Sequence, residues 1–223
     1  MSITPLMPVY PRCGVRPVRG EHCHLIDEDG TRYLDFASGI AVNLLGHSHE
    51  GLIGAIQQQA ATLMHVSNLY GSPQGERLAQ TLVDTTFGDT VFFTNSGSEA
   101  VDTALKIARA YHQARGDCRR TKLIGRAKGY HGMGFGGLSV SGIGRQKRDF
   151  GPLLGDVAHL PLPYDASLRF SAGQPEQGAH YADALLQLLE VHDPATVAAV
   201  FVEPVTGSGG VYAPPLGYLQ KLR

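Results

Sequence analysis

Hydrophobic and polar positions change rhythm twice along this chain, and each change marks a different kind of element. In the first seventy residues, His24–Asp27 and Thr31–Phe36 are short β-prone runs on either side of Asp29-Gly30. Glycine accepts positive φ without steric cost, so this pattern predicts a hairpin. Leu52, Ile53, Ile56, Ala60 and Leu63 then recur at helical spacing. A second helix is predicted after Pro73, with Leu78, Leu82 and Val83 on its buried side.

From residue 90 the order becomes strand, loop, helix. Thr90–Thr94 (TVFFT) reads as a short strand, and Glu99–Ala114 is helical in period until Gly116 stops it. Thr121–Gly125 (TKLIG) is a second strand candidate, opening into a glycine-rich loop over Gly129–Gly144. Tyr181–Leu189 reads as a further helix. Val197–Val202 (VAAVFV) is an unbroken apolar run, which suits a parallel strand covered on both faces. The expected class is α/β, with a small α+β module over residues 1–70 and a larger domain over 71–223.

Composition narrows the field. With 19 basic and 20 acidic residues the net charge is -1, so there is no basic footprint for nucleic acid or for an acidic membrane surface. No apolar run approaches the ~18 residues of a membrane span, and the first twenty residues contain no apolar signal core. Three cysteines without C-x-x-C spacing argue against a disulfide framework or a zinc site, so a cytoplasmic setting and no metal are expected. The 28 glycines exceed the usual ~7% and cluster in loops.

Three segments could carry chemistry. In Asn95-Ser96-Gly97-Ser98-Glu99, Ser96 and Glu99 have capping-box spacing, and the remaining free N–H groups with the helix dipole would favour an anion. An ordinary capped turn would look the same. Gly129-Tyr130-His131-Gly132 puts an aromatic ring on a loop at a strand's carboxyl end, where open α/β sheets bind ligands. A packed loop tyrosine with a surface histidine is the plain alternative. Glu203-Pro204 follows the VAAVFV strand, and a carboxylate there needs a partner unless it turns out to solvent. No P-loop is present, and Gly137-Leu138-Ser139-Val140-Ser141 lacks the last glycine of a hydrolase elbow. The His22/His24 and His47/His49 pairs lack companion ligands and read as structural or surface residues.

A phosphate cradle, a ring stacker and a carboxylate together suit a planar, phosphorylated aromatic cofactor. The chain resembles the class III (ω-amino-acid) pyridoxal-phosphate aminotransferases. The resemblance rests on YLDFASGIAVNLLGHSH, HVSNLY, VFFTNSGSEAVDTALKIARAYH, GYHG and FVEPVTGSGGVYAPPLGYL. It implies a type I aminotransferase fold, with a mostly parallel sheet in a large domain and a split small domain, assembled as a homodimer. It implies pyridoxal 5'-phosphate as cofactor and small-molecule partners, an amino donor and a keto-acid acceptor. It further implies that Ser96, Gly97 and Ser98 form the phosphate turn, with Gly97 and Ser98 binding the phosphate. Tyr130 would stack on the pyridine ring with His131 close by, and Glu203 would sit near the ring.

Two departures bear on substrate. The acetylornithine-type members usually carry an arginine where Met133 stands, and a glutamate where Ser208 stands. Both losses favour an ω-amino acid or amine over an acetylornithine-like donor, while the resemblance implies a keto-acid acceptor, pyruvate or 2-oxoglutarate. None of the five lysines (Lys106, Lys122, Lys128, Lys147, Lys221) matches the family's Schiff-base lysine motif, and the aspartate that pairs with the pyridine nitrogen is also missing. The expectation is an N-terminal portion of such an enzyme, inactive alone. A non-catalytic cofactor-binding or assembly fragment is the alternative. An incomplete sheet should also leave an unpaired edge and exposed apolar surface.

Overall fold

The computed structural model describes residues 5–165 and 173–223. Contacts divide the chain into two units, Met1–Thr90 and Val91–Arg223.

In the first unit, β1 (Pro17–Glu21), β2 (His24–Asp27) and β3 (Arg32–Leu34) form an antiparallel sheet in that order. The β2–β3 hairpin pairs His24 with Leu34 and Ile26 with Arg32. Its turn closes as foreseen: Gly30 takes φ +86° and the Thr31 N–H donates to the Asp29 carboxylate at 2.9 Å. After the short turn α1 (Ser38–Ala41) come the helices α2 (Glu50–Thr62) and α3 (Pro73–Thr85). His49 caps α2 by accepting the Leu52 N–H, and Ser72 caps α3 by accepting that of Gly75, with Pro73 in the first turn where its missing N–H costs nothing. The His47 Nε2–H donates to the Asp35 carboxylate at 2.8 Å, which holds the Asp35 carboxyl below its ordinary range.

The second unit opens with α4 (Gly97–Ala114), ended by Gly116 at φ +80°. The strands β4 (Lys122–Arg126), β5 (Val157–Leu160) and β6 (Val197–Val200) make a parallel sheet ordered β5-β4-β6. Between β4 and β5 lie two short helices, α5 (Phe135–Val140) and α6 (Gly144–Lys147). A 3-10 turn over Ala179–Asp183 leads into α7 (Ala184–Val191), and α8 (Tyr218–Leu222) follows β6. The core is Leu105 of α4, Leu123 of β4 and Val140 of α5, with Val101, Val157, Ala199 and Phe201 packed around them. Gly125 lets this happen: a Cβ there would lie 2.0 Å from the Val140 carbonyl oxygen.

Four expectations need correcting. Leu78, expected on the buried side of α3, is exposed, and α3 has no fully buried residue. TVFFT is not a strand, because none of its backbone groups finds a ladder partner among the described residues; Phe92 and Phe93 are exposed. β6 is half-buried along its length rather than covered on both faces, since it pairs only with β4 and forms a sheet edge among the described residues. The Gly129–Gly144 segment is not all loop, because the glycines around Phe135 let α5 pack directly against α4. The parallel sheet, the α/β class and the order of elements agree with the sequence reading.

Candidate functional site

All strand ends of the parallel sheet point the same way, and the loops leaving β4 and β6 meet there. Ligands bind at that edge in open α/β sheets.

At the start of α4, the Ser96 hydroxyl accepts the Glu99 N–H at 3.2 Å, and the Glu99 carboxylate accepts the Asn95 N–H at 2.8 Å. The carboxylate thus reaches one residue further back than in the usual capping box. The N–H groups of Gly97 and Ser98 have no acceptor among the described residues. A Cβ on Gly97 would meet nothing within 4 Å, so the helix start is uncrowded at that residue. An 18-residue helix adds its positive dipole end at that point.

The Tyr130–Met133 loop lies against this turn. Ser98 accepts the Met133 N–H at 3.1 Å through its hydroxyl. Gly132, at φ +101°, approaches so closely that a Cβ would fall 2.6 Å from the Ser98 Oγ and 2.8 Å from its Cα. Tyr130 is half-buried, and its N–H donates to the Glu203 carboxylate at 2.9 Å. The other Glu203 oxygen accepts the Gly207 N–H at 3.2 Å. Glu203 therefore neither lies bare in the sheet nor turns out to solvent; it straps one loop to the other. The six residues singled out in the sequence form one continuous patch: Ser96, Gly97 and Ser98 on the helix start, Tyr130 and His131 on the adjoining loop, Glu203 beneath.

His131 is 8% exposed, so it is not a surface histidine. Its main-chain N–H donates to the Ser141 hydroxyl at 2.8 Å, while its Nε2 is buried with no partner among the described residues. Burial holds its imidazole below the ordinary histidine value; the Glu203 carboxylate opposes that shift, and Arg126 and His159 reinforce it. The ring is thus kept neutral, with one nitrogen unused.

Of four further supporting residues, Asp102, Arg126 and Thr206 were not singled out in the sequence, and Ser141 entered there only through the incomplete hydrolase elbow. Asp102, one turn along α4 from Ser98, accepts the Gly137 N–H at 2.8 Å and so caps α5, whose own N-cap position is Gly134. Ser141, standing where a hydrolase elbow would have its last glycine, donates to the Gly137 carbonyl while accepting from the His131 N–H, a purely scaffolding task. Arg126 ends β4 and reaches Glu203 and Thr206, and Thr206 closes the Gly207–Val211 turn by pairing with Tyr212. The run of glycines at 132, 134, 136 and 137 was the available signal for Asp102, since side chains there would strike α4 or the loop before it.

Such an arrangement can hold an anion at the α4 N-terminus, present an aromatic face beside it and offer a buried neutral imidazole. These features fit a phosphorylated planar ring. Among the described residues, no group of three or more His, Cys, Asp or Glu side chains could hold a metal ion.

Comparison with known proteins agrees. The family model "Aminotransferase class-III" matches residues 9–223. An omega-aminotransferase of Caulobacter vibrioides is 49% identical over 197 residues, which are 85% of this chain and 44% of that protein. An acetylornithine aminotransferase of Rhodobacter capsulatus is 38% identical over 221 residues, covering 99% of this chain and 51% of that one. Among solved structures, an amine transaminase from an uncultivated Pseudomonas species in its PLP-bound form superposes with a TM-score of 0.87 at 30% identity, over 100% of this chain and 53% of its own. The omega transaminase of Pseudomonas jessenii in complex with PMP gives 0.83 at 34% identity, over 93% and 47%. The chain spans about half the length of the relatives it matches.

Proposed function

The chain belongs to the class-III aminotransferase family, and from that premise we propose that it forms part of a pyridoxal-phosphate transaminase acting on an ω-amino acid or amine, with pyruvate or 2-oxoglutarate as acceptor. The observation that carries this reading is the pair of free N–H donors at Gly97 and Ser98, on a helix start that packs against Gly132 of the Tyr130-His131-Gly132 loop. In this reading Gly97 and Ser98 hold the phosphate, Tyr130 covers one ring face, and Glu203 fixes the loop that carries Tyr130. His131 supports the loop from below as a neutral group. The cofactor, when bound, supplies the electron sink for moving an amino group.

Residues 71–223 would then contribute to the large domain and residues 1–70 to the small one, in a cytoplasmic homodimer. Met133 and Ser208 favour the ω-amino-acid branch, and the 49% identity to an omega-aminotransferase against 38% to an acetylornithine enzyme supports the same choice.

No lysine of the chain suits covalent attachment of the cofactor. Lys122 is paired with Asp156, Lys147 donates to the Ser139 carbonyl and Lys221 is paired with Asp183. Lys106 lies along α4, and Lys128 sits on an exposed turn. The attaching lysine would come from outside these 223 residues, and without it the chain would bind the cofactor but not turn over. Titration with pyridoxal phosphate followed by borohydride reduction and peptide mass spectrometry tests both parts. Saturable binding without stoichiometric labelling of any single lysine is expected. Absence of binding overturns the cofactor reading, and full labelling at one lysine overturns the inactive-chain reading.

A further inference from the structure

A guanidinium buried without a carboxylate is an unusual thing to find at the end of a central strand. Arg126 is 1% exposed, and no acidic side chain pairs with it among the described residues. Its Nη2 donates to the Glu203 carbonyl at 2.6 Å and to the Thr206 hydroxyl at 2.7 Å. Its Nε and Nη1 are buried without partners among the described residues, and the Tyr218 ring centroid lies 5.8 Å from the guanidinium carbon. Taking that charge out of water is costly, and an apolar side chain of similar volume would ordinarily be the more stable filling.

The geometry shows what the charge maintains. Arg126 acts on both loops of the site at once. Its carbonyl accepts the Gly129 N–H at 3.0 Å, closing the turn that leads into Tyr130. Its side chain holds the Glu203 main-chain carbonyl and the Thr206 hydroxyl, on the two residues from which the second loop springs. The Glu203 carboxylate then reaches back to the Tyr130 and Gly207 N–H groups. Both bonds come from the two N–H groups of Nη2, whose directions the guanidinium plane fixes, whereas an ammonium is a point charge with rotatable donors.

We propose that Arg126 is a positioning residue of the cofactor site: by pinning the Glu203 main chain it places the Glu203 carboxylate, and through it sets the position of the Tyr130 loop. The proposal rests on the transaminase reading for its meaning in cofactor binding, but the linkage itself is a property of the chain without cofactor.

The test is amide hydrogen exchange by NMR on the intact chain, first without pyridoxal phosphate, for wild type, Arg126→Met and Arg126→Lys. Exchange at the Tyr130 and Gly207 amides should rise at least tenfold in Arg126→Met, while the β4 amides of Leu123 and Ile124 change less than threefold. Arg126→Lys keeps the charge and most of the volume, so it covers the case in which the methionine variant does not fold. It should show an intermediate rise at the same two amides. Protection at Tyr130 and Gly207 within twofold of wild type in a folded variant, or loss only in step with β4, overturns the proposal. Pyridoxal phosphate titration is the second readout, expected to weaken about tenfold in Arg126→Met and to recover in part in Arg126→Lys. A wild-type chain that shows the exchange pattern but binds no cofactor would sink the functional reading and leave the positioning role standing.

Discussion

Replacing Gly132 by alanine probes whether the loop and the helix start are built as one surface. At φ +101° an L-residue is strained, and such a conformation costs of order 1–3 kcal/mol. The added Cβ would also sit 2.8 Å from the Ser98 Cα, a backbone atom that no rotamer change can move. Relieving an overlap of that kind costs about 1–3 kcal/mol more. Shifting the loop away would weaken the Met133-to-Ser98 bond at 3.1 Å, worth about 1 kcal/mol. Gly116 supplies the control. It has φ +80° but nothing within 4 Å of its Cβ position, so Gly116→Ala bears only the conformational cost. The two variants should therefore differ by about 2 kcal/mol, close to a 30-fold change in the unfolding equilibrium. Urea denaturation followed by circular dichroism measures this, provided the slope with denaturant stays constant. Equal losses in the two variants would refute the close contact between Gly132 and Ser98, and with it the single surface that the site requires.

Two further outcomes are expected. Gly97→Ala should leave stability within about 0.5 kcal/mol of wild type, because its Cβ meets nothing and alanine is the better helix former. It should nonetheless weaken pyridoxal phosphate binding about tenfold, because the added methyl crowds close backbone approach of a phosphate to the helix start, which an absorbance titration would detect. Acid sensitivity should begin near neutrality. His131 and His159 are both held below the ordinary value of 6.5, mainly by burial, so the unfolded chain binds the extra protons first. Their contribution is complete above about pH 6.5 and is lost as pH falls through the lower folded values. Asp35 and Asp156 are pushed below 3.8 and lose theirs only in a separate, more acidic window. Stability measured from pH 7.5 to 5 should fall, and His159→Gln should flatten that fall; a flat wild-type curve would contradict the burial argument.

Features whose partners lie within a few residues were legible from the sequence alone. The Asp29-Gly30 turn, the Ser96 cap, the stop at Gly116 and the period of α2, α3 and α4 all depend on contacts between near neighbours, which the residue order specifies directly. The ordered motifs likewise identified the family and six residues of one patch. What required the tertiary structure was everything decided by a distant partner. TVFFT has strand composition but no neighbouring strand among the described residues, β5 lacks a strong pattern yet pairs with β4, and β6 is half-exposed for want of a second neighbour. Glu203 became a strap rather than an exposed carboxylate only because the Tyr130 amide, 73 residues earlier, comes within 2.9 Å of it. Arg126 gave no signal at all in the sequence, since an arginine at a strand end is ordinarily solvated; its burial beneath the loops, with acceptors 77 and 80 residues away, is a consequence of packing. Local chemistry is written in the residue order, whereas strand pairing, burial and the linkage between the two loops are set by which segments the fold brings together.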